Sequence, residues 1–598
     1  MNEDTTDTKT LRRISKVGDW LALVCLAAMV SVPLLHPRHY NPIPSFWSEW
    51  WAFAFGIAAA ALLLIRPGVW RPFGLPAVAA IPLAFLTTAL VQYFIGRWYF
   101  VEPWLMYATY LLWATLLMLA GRSFVARRGF VALADVLAVA ILFGALCNTA
   151  IAALQFHNVG YQSGWVFLRI SSVPYSNLGQ PNHFNHELWI GIASLFYLHL
   201  RGRCRLSLVW PTLLLLLMAA TMSTSKSILL YSLTFTALAG VMRWKQPTSV
   251  DARTLWHLTL PLLPLVLLLQ FIVSYSGIAG DASLPIATQR LFNQVAGYEI
   301  RWRLARTAWD FFLAAPLLGN GIGTLPWQFF VDNSHYPLGA GPAVAEHAHN
   351  LLLQLLAEYG VVPVAIMLGI LSLWARKLWQ QQWQIEHWWL VAVLSVAAIH
   401  SMLEYPLWYS FFLGPTALLL GAADKPALML HNGRRGAALC GMIIAVGIMP
   451  LTKLRIDYQQ LESSFNTTVA ESAGATWKKQ VETLTRIQRD SLLEPHVMAA
   501  LASMMEIDNK EIDAKVEVCK QGMKFAPSRR IVFKCGALMA IAGDEKGALV
   551  QIELASHAYP KETAQVAADL KKLAPFYRRL LPLIPVVERY ADQAKQLP

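Results

Sequence analysis

The sequence predicts an all-α polytopic membrane protein with about 13 transmembrane helices, a large loop on one face and a soluble, helical C-terminal domain. Three observations carry this expectation. The composition is 56% hydrophobic and only 14% charged, against about 45–50% apolar and about 25% charged in soluble domains. The apolar residues gather in runs of roughly 16 to 24, long enough to cross a hydrocarbon core of about 30 Å at 1.5 Å per residue. After residue 453 those runs stop and amphipathic helical patterns take over. The same figures argue against a purely cytosolic enzyme and exclude a disordered chain, a collagen or a coiled coil.

Taken in order, the spans fall near 19–36, 50–65, 75–93, 103–121, 131–155, 187–201, 206–222, 225–242, 255–276, 351–374, 386–403, 407–422 and 436–452. The start (Arg12, Arg13, Lys16) and every second loop are basic: Arg66 and Arg71, Arg122 with Arg127 and Arg128, Arg201 with Arg203 and Arg205, Arg243 and Lys245, Arg376 and Lys377, Arg434 and Arg435. Basic loops stay in the cytoplasm, so the formal charge of +13 reflects orientation and not a nucleic-acid partner. The loops at 37–49, 94–102, 156–186, 277–350, the turn near 404–406 and everything after about 453 then face outward. The chain divides into a cytoplasmic N-terminus (1–18), a bundle with an outward loop at 156–186 (19–276), a large outward loop (277–350), further spans (351–452) and an outward helical domain (453–598). Trp47, Trp50, Trp51, Trp98, Tyr99 and Trp104 crowd the outer edges, as interfacial aromatics do.

In the C-terminal segment Pro495, Pro527 and Pro560 recur at spacings close to the 34-residue tetratricopeptide unit; an irregular helical bundle gives the same pattern. Cys519 and Cys535 both lie there, where an oxidising compartment permits a disulfide. No CxxC or zinc spacing occurs, and no metal is expected.

Ionisable residues deep in spans, which mark transporters, are few: Asp135 and Glu358 lie near span ends. Polar content is concentrated in the outward loops. The loop at 277–350 holds Arg290, Arg301, Arg303, Arg306, Asp310, Asp332, Glu346, His347 and His349, together with the turn-rich Pro316-Leu-Leu-Gly-Asn-Gly-Ile-Gly323. Arginines on the outer face run against the positive-inside rule, and a polyanion such as a phosphate would hold them there through bidentate contacts. Arg303 and Arg306 also have partners at helical spacing in Glu299 and Asp310. The glycine segment lacks the context of a nucleotide fingerprint and reads as a flexible turn. His347 and His349, spaced i,i+2, point about 200° apart on a helix and cannot share a metal there. One of them suits a general base for a reacting hydroxyl. His183 and His186, with Glu187, do not follow the His-Glu-x-x-His order of a zinc helix.

Glu346-His-Ala-His349-Asn350-Leu-Leu-Leu-Gln354-Leu-Leu-Ala-Glu358-Tyr-Gly360, preceded by Arg301 and by the glycine turn, resembles the core of the bacterial O-antigen ligase, O-antigen polymerase and O-oligosaccharyltransferase superfamily. Gln180-Pro-Asn182-His183 and His400-Ser-Met-Leu-Glu404-Tyr405-Pro406-Leu-Trp408-Tyr409 resemble its protein-glycosylating branch, the pilin-type O-oligosaccharyltransferases. The resemblance implies a multi-pass protein of the bacterial inner membrane whose active site faces the periplasm. It implies transfer of a glycan preassembled on undecaprenyl pyrophosphate to an acceptor protein such as a pilin, with neither cofactor nor metal. Catalytic roles are implied for His349, Arg301 and Tyr405, and substrate contacts for Gln180, Asn182, Lys226, Arg303, Glu346 and Asn350. Where the family usually has Ser-Arg, this chain has Ser225-Lys226, which keeps the charge but not the fork. Ligation to lipid A core or glycan polymerisation would use the same chemistry on another acceptor; a membrane transporter is the reading of a different class.

Overall fold

In the computed structural model the described residues are 3–70, 72–169, 173–275, 295–338, 345–431, 433–466 and 475–597. The expected loop at 277–350 lies partly outside them, as does Arg290. The chain forms two compact units. The first comprises residues 1–84, 109–294 and 366–451, and the second residues 85–108, 295–365 and 452–598.

Among the described residues ten helices are long and apolar enough to cross a membrane: Val17–Leu35, Phe46–Leu64, Ala77–Phe94, Val101–Arg128, Phe130–Phe156, Ser227–Lys245, Val250–Tyr275, Val361–Trp379, Ile385–Leu403 and Gly433–Ser464. Two shorter apolar helices, Leu206–Met222 and Ser410–Ala423, and the more polar helix Pro181–Leu200 occupy the other three expected positions. The protein is an all-α polytopic membrane protein. Two expected boundaries are corrected. The span read at 351–374 is two helices, Leu351–Tyr359 and Val361–Trp379, because Gly360 adopts φ +79° and ends the first. The last expected span does not stop at 452 but continues as one helix, Gly433–Asn466.

The first unit is held by tight helix contacts of the kind membranes favour, where small residues let backbones approach. A Cβ on Gly421 would lie 2.2 Å from the Met118 carbonyl oxygen, and one on Gly121 2.4 Å from that of Leu418. Trp189, Trp388, Trp389 and Phe235 fill its interior. Basic residues of alternate loops gather on acids: buried Asp19 meets Arg66, Arg127 and Arg128 at 3.7, 3.2 and 2.9 Å, and half-buried Asp135 meets Arg201 and Arg203 at 3.5 and 3.7 Å. One feature has no sequence signal: Phe73–Pro76 pairs antiparallel with Pro426–Leu430, and Asp424 accepts a hydrogen bond from the Val78 amide at 3.0 Å beside it.

The second unit contains the C-terminal helices Glu494–Met504, Ile512–Phe525, Arg529–Ala542, Glu545–Ala558, Thr563–Leu573 and Leu583–Ala594; the first four pack in succession, and Leu583–Ala594 packs on both Glu545–Ala558 and Thr563–Leu573. The recurring prolines stand at helix starts, where a missing N–H costs nothing: Pro495 in the first turn of its helix, Pro560 opening a 3-10 turn, and Pro527 two residues before Arg529. Cys519 and Cys535 form a disulfide between neighbouring helices. Phe330, from the helix Leu325–Asp332, is buried in the same core.

Candidate functional site

In the first unit three segments far apart in sequence meet. Gly179, at φ +71°, turns the chain into the helix Pro181–Leu200, with Gln180 at its N-cap and Pro181 in its first turn. Asn182, one position on, donates to the Glu404 carboxylate at 3.0 Å and accepts from the Ser225 hydroxyl at 2.7 Å. Ser225 also bonds Ser227 at 2.8 Å, and Ser227 accepts from Asn185 at 2.9 Å. The amide motif, the turn carrying Lys226 and the segment 404–409 are thereby joined by one polar chain. His183 lies edge-on to Tyr409, ring centroids 4.9 Å apart, and Tyr409 is stacked with Tyr405 at 5.9 Å. The Gln180 Oε1 atom is buried and meets no donor among the described residues. His186 Nδ1 and His400 Nδ1 are 3.0 Å apart, so one ring donates a proton to the other.

The second unit holds the arginines and the histidine turn. Arg301 is exposed on the helix Val295–Ala314. Arg303 points the other way: its guanidinium lies 4.0 Å over the Tyr336 ring and donates to Asn333 at 3.1 Å. Together with Thr307 and Phe329 it lines a small cavity. Arg306 forms the exposed i,i+4 pair with Asp310 at 3.7 Å. The alternative partner of Arg303, Glu299, has a side chain outside the described residues.

Residues 345–350 are not helical; the helix starts at Leu351, with Asn350 as its N-cap accepting from the Leu353 amide at 3.1 Å. His349 sits at φ +51°, a region costing a non-glycine residue about 1 kcal/mol or more. Burial, reinforced by the neighbouring His349, holds His347 down to about 3, so it is neutral at physiological pH.

The glycine segment is no flexible turn. It is clasped on the end of the helix Leu351–Tyr359: Asn320 N donates to Ala357 O at 3.0 Å, Gly321 N to Glu358 O at 3.1 Å, and Val361 N to Pro316 O at 2.8 Å. A Cβ on Gly319 would lie 2.2 Å from Glu358 O, and one on Gly360 2.4 Å from the Leu317 carbonyl. Gln92 and Arg97 brace the clasp, Gln92 Nε2 donating to Leu318 O at 2.5 Å and Glu358 O at 2.7 Å, and Arg97 to Gly319 O at 2.6 Å. Sequence reasoning missed this role for Gln92, Arg97, Gln354 and Glu358. The available signal was Asn350, Gln354 and Glu358 at i, i+4, i+8 on an otherwise apolar helix, which aligns them on one face.

Among the described residues no group of three or more His, Cys, Asp or Glu could hold a metal ion.

The O-antigen ligase family matches residues 211–368, a stretch containing Lys226, Arg301, Arg303, Glu346, His349 and Asn350. A second family, described as the C-terminal part of a virulence factor membrane-bound polymerase, matches residues 388–574 and contains Tyr405. A general O-oligosaccharyltransferase of Acinetobacter baylyi is 26% identical over 449 residues, 73% of this chain and 76% of the relative. Over these stretches the chain is similar to O-antigen ligases, membrane-bound polymerases and a general O-oligosaccharyltransferase. It is a multi-pass membrane glycosyltransferase.

Proposed function

We propose that the protein is an oligosaccharyltransferase of the bacterial inner membrane. It moves a preassembled glycan from undecaprenyl pyrophosphate to serine or threonine hydroxyls of periplasmic proteins such as pilins. The observation that carries this reading is the joining of Asn182, Ser225 and Glu404, which unites the protein-glycosylating motif with the turn bearing Lys226 and with the neighbour of Tyr405. The name of the Acinetobacter relative supports an oxygen-linked transfer. The disulfide supports placing the C-terminal helices in an oxidising compartment. The gathering of Arg66, Arg127 and Arg128 on Asp19 supports one common side for those basic loops.

The acceptor oxygen attacks the anomeric carbon, the carbon–oxygen bond to pyrophosphate breaks, and the leaving group carries away the bonding pair. The hydroxyl proton passes to the imidazole of His349, acting as general base. Arg301 and Lys226 neutralise charge developing on the pyrophosphate, the guanidinium through paired hydrogen bonds. Gln180, Asn182, Arg303, Glu346 and Asn350 contact substrate, and Tyr405 orients the reacting groups. None of these steps uses a cofactor.

Co-expression with a lipid-linked glycan pathway and a pilin, followed by mass spectrometry of the pilin, tests the reading. Glycosylated pilin with the wild-type enzyme, and none with His349→Ala at equal expression, is expected. Glycan appearing instead on lipid A core, or as lengthened polymer, would assign the acceptor of a ligase or polymerase. Retained transfer by His349→Ala would remove the histidine from the mechanism.

A further inference from the structure

We propose that Gln354 and Glu358 are positioning residues for His349, tying the turn His347-Ala348-His349 to the glycine clasp at 316–323; this rests on the reading of His349 as the proton acceptor. Gln354 and Glu358 are 2% and 1% exposed, one helical turn apart, and lie in the same compact unit as the clasp and the histidine turn. The Ala348 amide donates to Gln354 Oε1 at 2.8 Å. A backbone N–H can only donate, so the amide oxygen of Gln354 faces the histidine turn and its NH2 group faces Glu358. The Glu358 carboxyl accepts from that side chain and, through Oε1, from the Gly323 amide at 3.1 Å. Its Oε2 atom is buried and meets no donor among the described residues.

The consequence falls on His349. Its backbone is held at φ +51°, and such a conformation persists only where the surroundings over-determine it. Here the constraint is applied from both sides: Ala348 is pinned by Gln354, and Asn350 is pinned as the helix cap. Releasing the Ala348 amide leaves a buried donor unpaired, at about 1–3 kcal/mol, and lets the turn relax into the right-handed region, which swings the imidazole. Packing alone does not require this pair, since leucine fills the volume of Gln354 without a buried amide, and an unsatisfied carboxyl oxygen is costly to bury. The Gly323 contact extends the constraint to the clasp that Gln92 and Arg97 brace, so the histidine turn and the segment following the Arg301 helix share one rigid frame.

The test uses the full-length enzyme in lipid nanodiscs with lipid-linked oligosaccharide and a protein acceptor. For Gln354→Leu we expect kcat to fall by about tenfold or more, as misplacement of a reacting group does. KM for both substrates should stay within about twofold, and the acidic limb of the pH–rate profile should move, because acceptance of the proton depends on where the base is placed. Gln354→Glu combined with Glu358→Gln, which exchanges the two groups and keeps an acceptor for both the Ala348 and the Gly323 amides, should recover most of the rate. A wild-type kcat and pH profile for Gln354→Leu overturns the proposal. So does an equal loss in Gln354→Leu and in the exchanged pair with an unmoved profile, since that is the behaviour of packing residues. His349→Ala, run alongside, separates the two ideas: an active His349→Ala removes the histidine itself, whereas an inactive one beside an unaffected Gln354→Leu removes only the positioning role.

Discussion

Asn182 and Glu404 stand 222 positions apart in sequence, and the amide of the first donates to the carboxylate of the second at 3.0 Å while accepting from Ser225 at 2.7 Å. Asn182 is therefore the joint of three segments. Asn182→Ala strips the Glu404 oxygen of a donor and the Ser225 hydroxyl of an acceptor. Hydrogen bonds to charged groups contribute about 1.5–3 kcal/mol. We expect glycan transfer to fall by about tenfold or more, whereas Glu404→Gln, whose amide oxygen still accepts from Asn182, should retain most activity. Steady-state transfer by the two purified variants decides the point; equal losses would show that the charge matters and the joint does not.

The glycines of the clasp should respond to alanine in a graded way. Gly323 has φ +70° but nothing within 4 Å of its Cβ position, so Gly323→Ala should cost only the left-handed penalty, about 1–2 kcal/mol. Gly319 and Gly360 combine φ +71° and +79° with Cβ positions 2.2 and 2.4 Å from backbone atoms. Overpacking adds about 1–3 kcal/mol. Thermal unfolding in detergent should rank Gly319→Ala and Gly360→Ala well below Gly323→Ala, with Gly369→Ala, which faces open space, as the near-neutral control. Three equal melting temperatures would mean that the clasp is not rigid.

Closing the segment between Cys519 and Cys535, separated by 16 residues, constrains the unfolded chain by about 3 kcal/mol in the loop-entropy account. Cys519→Ser should therefore render the helices Ile512–Phe525 and Arg529–Ala542 more open to limited proteolysis. Because Phe330 shares their core, the loosening should reach the helix Leu325–Asp332. Peptide mapping after brief digestion locates the cuts; a cleavage pattern identical to wild type would show the bridge to be mechanically idle.

The helices were legible in the sequence because a bilayer imposes both length and apolar content, so even the short helices Leu206–Met222 and Ser410–Ala423 left clear runs. The break at Gly360 was not. The apolar residues continue across it, and what ends the helix is a long-range fit against Leu317 that no local pattern records. The same holds for the glycine segment: its turn-forming residues were visible, but its rigidity comes from Glu358, Gln92 and Arg97, which lie 35 or more positions away from Gly323 or on a different helix. Arg303 shows a different limit. Its charge in an outward loop was visible, but its contacts with the Tyr336 ring and Asn333 were not, because an aromatic 33 positions on gives no pairing signal at helical spacing. The short ladder between Phe73–Pro76 and Pro426–Leu430 is likewise a tertiary product, since each strand is too brief to announce itself.

Acid should destabilise the second unit through two half-buried histidines. Burial lowers His347 from 6.5 to about 3 and His496 from 6.5 to about 4. His496 also packs against Phe525, ring centroids 4.7 Å apart. A lowered folded-state value means that the unfolded chain binds the proton more readily. The stability these histidines lend is therefore complete above about pH 6.5 and is lost as the pH falls towards 4, by about 1.4 kcal/mol per pH unit for each group. His496→Phe keeps a ring beside Phe525 and removes one titrating group, so its melting temperature should decline less steeply than that of wild type between pH 7 and pH 4.5. The comparison needs only thermal melts of the two proteins in the same detergent. Parallel curves would place the acid sensitivity elsewhere, and a wild-type curve flat down to pH 4.5 would mean that both rings reach water in the folded protein.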